Sequence, residues 1–294
     1  MNPILWIIPL ALVVFVSGCT IPGFGGGTTA YENDVVVIKD LQAIPSAVKS
    51  TQQIRLVGYI ENLASKSVDT VAVDLFDHCD GLFTDVKVTC EGTATDTKCS
   101  DLKLLPKEIK EVDWVLTPSE VSLKTDCELK VLVEYPFKTI GLTSMSLINE
   151  KEMQTQLERG AFRQAQSAIV KGEGPVKVFM QVEDKQPVII SDKDAFTPVS
   201  LNVENRGSGF IKGSKITVGK TSADDYTTKD CDVPLDSSAD KTLKVIKDKI
   251  SVPCKIQTSP NTAVVKELTK QLTSEISYSY EFRKSVKVSV DKVA

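Results

Sequence analysis

Apolar and polar side chains alternate at period two through much of this chain, and that pattern restricts it to half-buried β-strands. Residues 53–60 (Gln-Ile-Arg-Leu-Val-Gly-Tyr-Ile) alternate apolar with polar or small side chains. In residues 68–76, Val71, Val73 and Leu75 share one face, and Thr70, Ala72 and Asp74 share the other. Residues 112–116 and 127–135 repeat the pattern, the latter through Leu129, Val131, Val133 and Tyr135. Residues 34–41 carry an apolar Val-Val-Val-Ile core. Pro106, Pro118 and Pro136 fall between or at the ends of these runs, where a missing amide donor does little harm. The second half reads the same way over residues 176–182, 188–190, 196–203, 211–218, 231–235 and 251–256. Two further runs in residues 276–290 flank Glu281-Phe282-Arg283-Lys284. Strands of this kind, joined by polar turns, build antiparallel sandwiches with one face wet.

Residues 149–171 break the pattern. They lack proline, and Met153, Leu157, Ala161 and Ala165 recur at every fourth position, with Ala168 near the same face. That spacing predicts an amphipathic helix, closed by Gly172, Gly174 and Pro175. The chain therefore divides into a β-sandwich over 31–148, a helical linker over 149–172 and a second sandwich over 173–294. Val264, Val265, Leu268 and Leu272 give residues 262–272 some helical character, so a short helix is expected there as well.

The N-terminus has a different character. Residues 4–16 are almost wholly apolar, and Val16-Ser17-Gly18-Cys19 closes the run with small residues before a cysteine. This layout resembles a lipoprotein signal peptide over residues 1–18. Cys19 would then carry the lipid, and residues 19–30, with Gly23, Gly25, Gly26 and Gly27, would form a tether. The run is shorter than the roughly 20 residues of a spanning helix. Met1-Asn2-Pro3 lacks the usual Lys or Arg, so retention as a short membrane anchor is the alternative. Either reading places the remainder outside the cytoplasm, at the membrane surface.

With Cys19 set aside, six cysteines remain, an even number in each half. Cys231 and Cys254 can pair only with each other within the second half. Cys79, Cys90, Cys99 and Cys127 allow three connectivities, of which a local Cys90–Cys99 clip with Cys79 joined to Cys127 is favoured. Their spacings contain no Cys-x-x-Cys pair, so a zinc site is not expected.

Composition points away from catalysis and from nucleic acid. His78 is the only histidine, which leaves no second base for a nucleophilic triad. Net charge is −4 and no basic stripe appears. Asp192, Asp194, Asp224 and Asp225 read as solvated turn residues, since no Asp-x-Asp-x-Asp-Gly loop surrounds them. Trp114 and Phe83 are the candidates for a ligand-binding aromatic patch, with a core Trp as the default. No cofactor or metal is expected.

The halves also resemble each other. In each, a strand runs into Glu-Asn and a turn, Glu61-Asn62-Leu63-Ala64 and Glu204-Asn205-Arg206-Gly207, and a second strand follows. Both end on aromatic-basic strands, Glu134-Tyr135-Pro136-Phe137-Lys138 and Tyr280-Glu281-Phe282-Arg283-Lys284. Around residues 50–77 and 195–220 this pattern resembles CARDB-like domains, immunoglobulin-like modules of bacterial and archaeal surface proteins. With its lipobox-like start, the whole chain resembles an archaeal cell-surface lipoprotein carrying two such modules. The resemblance implies surface display and an adhesion or scaffolding role, with no catalytic residues. The expected partners are membrane lipid through Cys19 and other envelope proteins or copies of the chain itself. The alternative is a subunit of a larger assembly such as a filament, sheath or surface layer.

Overall fold

The computed structural model describes residues 31–190, 196–223, 226–229, 242–245, 248–258 and 266–292. The signal-like segment, Cys19, the glycine tether, Cys231 with its expected strand, and the four turn aspartates lie outside these residues. The first half forms β1 (Val36–Ile44), β2 (Ala47–Lys49), β3 (Ile54–Asn62), β4 (Val68–Asp77), β5 (Phe83–Thr89), β6 (Thr93–Thr95), β7 (Lys98–Leu104), β8 (Ile109–Pro118) and β9 (Thr125–Asn149). Helix α1 (Glu150–Glu158) follows, then β10 (Ile169–Val170), β11 (Val176–Val182), β12 (Val188–Ile190), β13 (Phe196–Asn205) and β14 (Phe210–Ile211). The chain continues through β15 (Lys215–Ala223), β16 (Tyr226–Lys229), β17 (Thr242–Lys244), β18 (Lys249–Thr258) and β19 (Glu267–Asp291).

Two sheets result. One has the order β1-β3-β8-β5, and the other runs β11-β13-β18-β16-β15-β19-β9-β4-β7-β6. Inward residues of the first, among them Ile38, Leu56, Trp114 and Leu116, share one continuous core with Val71, Val73, Val131 and Val133 of the second. The protein is mainly β and is built from layered, mostly antiparallel sheets, with β12 on β9 and β2 on β19 as parallel pairs.

Two long strands run through both halves. β9 and β19 pair antiparallel from Thr125↔Val290 to Ile148↔Glu267, so each serves both halves. The first half's β4 lies beside β9, and the second half's β15 lies beside β19. By their contacts, the described residues from Tyr31 onward cluster as one compact unit. Helix α1 covers only Glu150–Glu158, well short of Gly172, and none of its residues is buried. Asn149 caps its start by accepting from the Lys151 amide, and Gly160 at φ +63° ends it. Leu157, placed on the apolar face of the expected helix, is half exposed. Residues 267–272, expected to be helical, belong to β19, where Leu272 is buried.

Pro136 lies inside a strand, not at its end. Its place in β9 falls between the last β4 partner, Glu134, and the first β10 partner, Leu142. Among the described residues one edge of β9 has no strand neighbour there, so the absent N–H costs little.

The internal repeat extends to individual hydrogen bonds. Val36 pairs with Asn62 and Val176 with Asn205, at the same place in β1–β3 and β11–β13. Asn62 donates from Nδ2 to the Lys66 carbonyl and accepts from the Ala64 amide. Asn205 does the same with the Gly209 carbonyl and the Gly207 amide. The backbone amides of Asn62 and Asn205 bond Glu108 and Asp248, each just before β8 or β18. Each turn is then clamped by an acid from the other half. The Ser208 amide and hydroxyl donate to Asp34 at 3.0 and 2.6 Å, and those of Ser65 donate to Glu173 at 2.8 and 2.9 Å. Gly207 is obligatory in its turn, because an added Cβ would lie 2.4 Å from the Tyr280 hydroxyl and 2.5 Å from an Asp34 oxygen.

Candidate binding surface

Where β9 and β19 cross the centre of the molecule, their inward side chains are aromatic. Tyr135 faces Tyr280 and Phe137 faces Tyr278, with ring centroids of neighbours 5.9–6.4 Å apart. The Tyr278 hydroxyl meets the Thr139 hydroxyl at 3.0 Å, and the Tyr280 hydroxyl donates to Asn205 Oδ1 at 3.0 Å. Burial pushes both phenols above their ordinary value of 10, so they stay neutral and act as structural donors.

Outward, the same rows carry small and charged residues. Pro136, Ser277 and Ser279 leave an open groove of about 570 Å³, walled by Lys138, Lys212, Lys215 and Thr217. Two of its lysines are paired, Lys212 with Glu134 at 2.7 Å and Lys138 with Glu275 at 2.6 Å. Further along this face, the Arg283 guanidinium lies between two rings, 5.5 Å from the Phe76 centroid and 5.7 Å from that of Phe210. Arg283 also bonds Glu281 at 2.9 Å. Phe76 and Phe210 are 42% and 59% exposed, so the two rings and the guanidinium form one solvent-facing patch.

The cysteines expected to pair in the first half do so: the structure joins Cys79 to Cys127 and Cys90 to Cys99. The clip has a topological role. In the second half β16 pairs with both β15 and β18 and so joins the layers. In the first half β5 pairs among the described residues only with β8, and Cys90, just past β5, is tied to Cys99 on β7 instead. Cys254 is buried on β18, while Cys231 lies outside the described residues. Trp114 and Phe83 are buried and form no surface patch; the indole donates to the Thr97 carbonyl at 2.7 Å. His78 Nδ1 is buried without a hydrogen-bond partner among the described residues. No group of three His, Cys, Asp or Glu side chains among those residues is placed to hold a metal. No helix among them is long and apolar enough to cross a membrane.

The outward patch was not singled out from the sequence. Glu281-Phe282-Arg283-Lys284 flags the strand, but Phe76 and Phe210 reach Arg283 only through the pairing of β4 and β14 with the long strands.

No family model matches this chain, and no curated protein matches it. Among solved structures it is similar to a protein of unknown function from Porphyromonas gingivalis W83. That likeness has 10% identity over 87% of this chain and 98% of that one, with a TM-score of 0.21, too slight to carry an argument.

The clamps give the protein a defined response to acid. Hydrogen bonds from the Ser65 amide hold the Glu173 carboxyl below its ordinary 4.5, against some burial, and the Ser65 hydroxyl adds to this. Burial pushes the Asp34 carboxyl above its ordinary 3.8, against the opposing bonds from Ser208. A lowered folded-state pKa means stability is lost as pH falls through it, so Glu173 weakens the fold in acid. A raised one means the folded state takes up a proton first, so Asp34 opposes that loss. Asp34→Asn should therefore make the melting temperature fall more steeply than in the unmodified protein on acidification through the carboxylate range. Thermal unfolding followed across that range checks it, and parallel curves would refute it.

Proposed function

We propose that this chain is a non-enzymatic surface protein that presents a rigid binding face, held at the membrane through lipid on Cys19. The observation that carries the binding role is Arg283 held between the exposed rings of Phe76 and Phe210. Arginine and aromatic side chains are the residues that dominate protein–protein interfaces. Here the guanidinium is already fixed by two rings and Glu281, so little side-chain entropy remains to be lost on contact. The disulfides support an oxidising location, and the small residues before Cys19 support lipid attachment. The duplicated strand-turn-strand units support the resemblance to tandem immunoglobulin-like modules.

Cross-linking mass spectrometry on intact cells tests the reading. Links from the β14–β19 face to one different protein are expected, and Phe76→Ser with Phe210→Ser should remove them. Cys19→Ser should release the chain from the membrane fraction, and its retention there would refute lipid attachment. Dense links between copies would instead favour an assembly subunit, a reading supported by the open edge of β5.

A further inference from the structure

Glu204 gathers more positive charge than its structural position requires. Its side chain is only 5% exposed and receives three cations: Arg206 Nη2 at 2.8 Å and Lys171 Nζ at 3.4 Å on Oε2, and Lys249 Nζ at 3.3 Å on Oε1. Burial alone would raise this carboxyl, but the bonds from Arg206 and Lys249 and the charge of Lys171 outweigh it and hold the group below its ordinary 4.5. The cluster therefore stays one negative charge against three positive ones at neutral pH. Lys177 and Lys249 lie in the same cross-strand row as Glu204, on β11 and β18, which adds a fourth cation alongside.

The repeat supplies an internal control. Glu61 stands before Asn62 as Glu204 stands before Asn205, and it is met by Lys39 alone among the described residues, at 3.2 Å. One cation thus satisfies the glutamate of this strand-turn unit, and the two extra cations are found only around Glu204. Their heads are not consumed by Glu204. The Lys171, Arg206 and Lys249 side chains are 43%, 58% and 59% exposed, and each retains N–H donors beyond those it spends on the carboxylate. Lys171 is further fixed over the Phe179 ring at 4.4 Å. A buried anion that holds three exposed cations together removes the mobility that makes ordinary surface lysines weak anion ligands.

We infer that Lys171, Arg206 and Lys249, organised by Glu204, form a binding site for a phosphate-type oxyanion. A tetrahedral oxyanion offers several acceptor oxygens at once and suits donors gathered round one carboxylate from three chain segments. Its source is either free phosphate or a phospholipid headgroup, and the assignment is independent of the Phe76–Arg283–Phe210 face.

The test titrates the full chain in mild detergent with inorganic phosphate by calorimetry. In parallel, flotation of the Cys19→Ser chain, which carries no lipid of its own, is measured with phosphatidylcholine vesicles with and without phosphatidylglycerol. Arg206→Gln and Lys249→Gln should each weaken binding about tenfold, the effect of losing one charge-assisted hydrogen bond. Lys39→Gln, in the first half, should leave it unchanged. Saturable phosphate binding with these effects assigns a free anion. Flotation that depends on phosphatidylglycerol and is lost in the same variants assigns a headgroup. Absence of both, or binding equal in all variants with near-ultraviolet circular dichroism unchanged, overturns the site.

Discussion

Expressed alone, residues 31–149 and residues 173–294 should each fail to fold cooperatively. The first piece loses β19, and with it Tyr280, Phe282, Val288 and Val290, all buried against its core. The second loses β9, including Met145, Leu147 and Ile148, and its clamp onto Ser208 loses Asp34. At about 1.5–3 kcal/mol for each large buried side chain, each piece forfeits on the order of 10 kcal/mol. That matches the entire stability of an ordinary domain, about 5–15 kcal/mol. Near-ultraviolet circular dichroism with thermal unfolding reads the result: no cooperative transition from either piece, and a single one from the intact chain. Mixing the pieces should restore that transition, because the β9–β19 ladder needs no covalent link between its strands. A sharp transition from either piece alone would show that the shared strands are not required.

The sequence made the strands legible and their sharing illegible, for a reason located in β9. Up to Tyr135 the inward positions are Leu129, Val131, Val133 and Tyr135, and alternation is plain. Beyond Pro136 the inward positions become Thr139, Gly141 and Thr143, while Ile140 points outward and is 42% exposed. The hydrophobic signal is inverted because β11 crosses this part of β9 at very short range. A Cβ at Gly141 would lie 1.8 Å from the Val178 carbonyl oxygen, and the Thr143 hydroxyl donates to the Met180 carbonyl at 2.7 Å. Close backbone approach selects small and hydrogen-bonding residues, so the apolar period of two is lost there. The expected 149–172 helix failed differently. Its alanines gave the correct period but too little apolar surface to be buried, and Gly160 ended the helix after Glu158. The repeat, by contrast, was visible in Glu-Asn because each Asn side chain closes its own turn through local bonds, which depend little on the rest of the fold. The clamps and the Glu204 cluster were not visible, since they join residues far apart in the chain.

Removing the Cys79–Cys127 bridge as Cys79→Ala with Cys127→Ala should cost about 4 kcal/mol, against about 2.5 kcal/mol for the Cys90–Cys99 pair. The ranking follows from loop closure: the two bridges span sequence separations of 48 and 9 residues. In a unit of this size the larger loss should lower the melting temperature by about 10 °C. The two losses should also differ in kind. Cys127 sits on β9, which runs through both halves in the folded state, so loss of its bridge shifts the global transition. The Cys90–Cys99 clip holds the end of β5, which has β8 as its one strand neighbour among the described residues. Its loss should release that edge locally, raising amide hydrogen exchange over residues 83–89 while exchange in β9 and β19 stays slow. Differential calorimetry with exchange mass spectrometry on the two double variants separates the effects. A larger drop in melting temperature from the Cys90–Cys99 pair would mean that tying the two layers of the first half together matters more to this fold than shortening its unfolded chain.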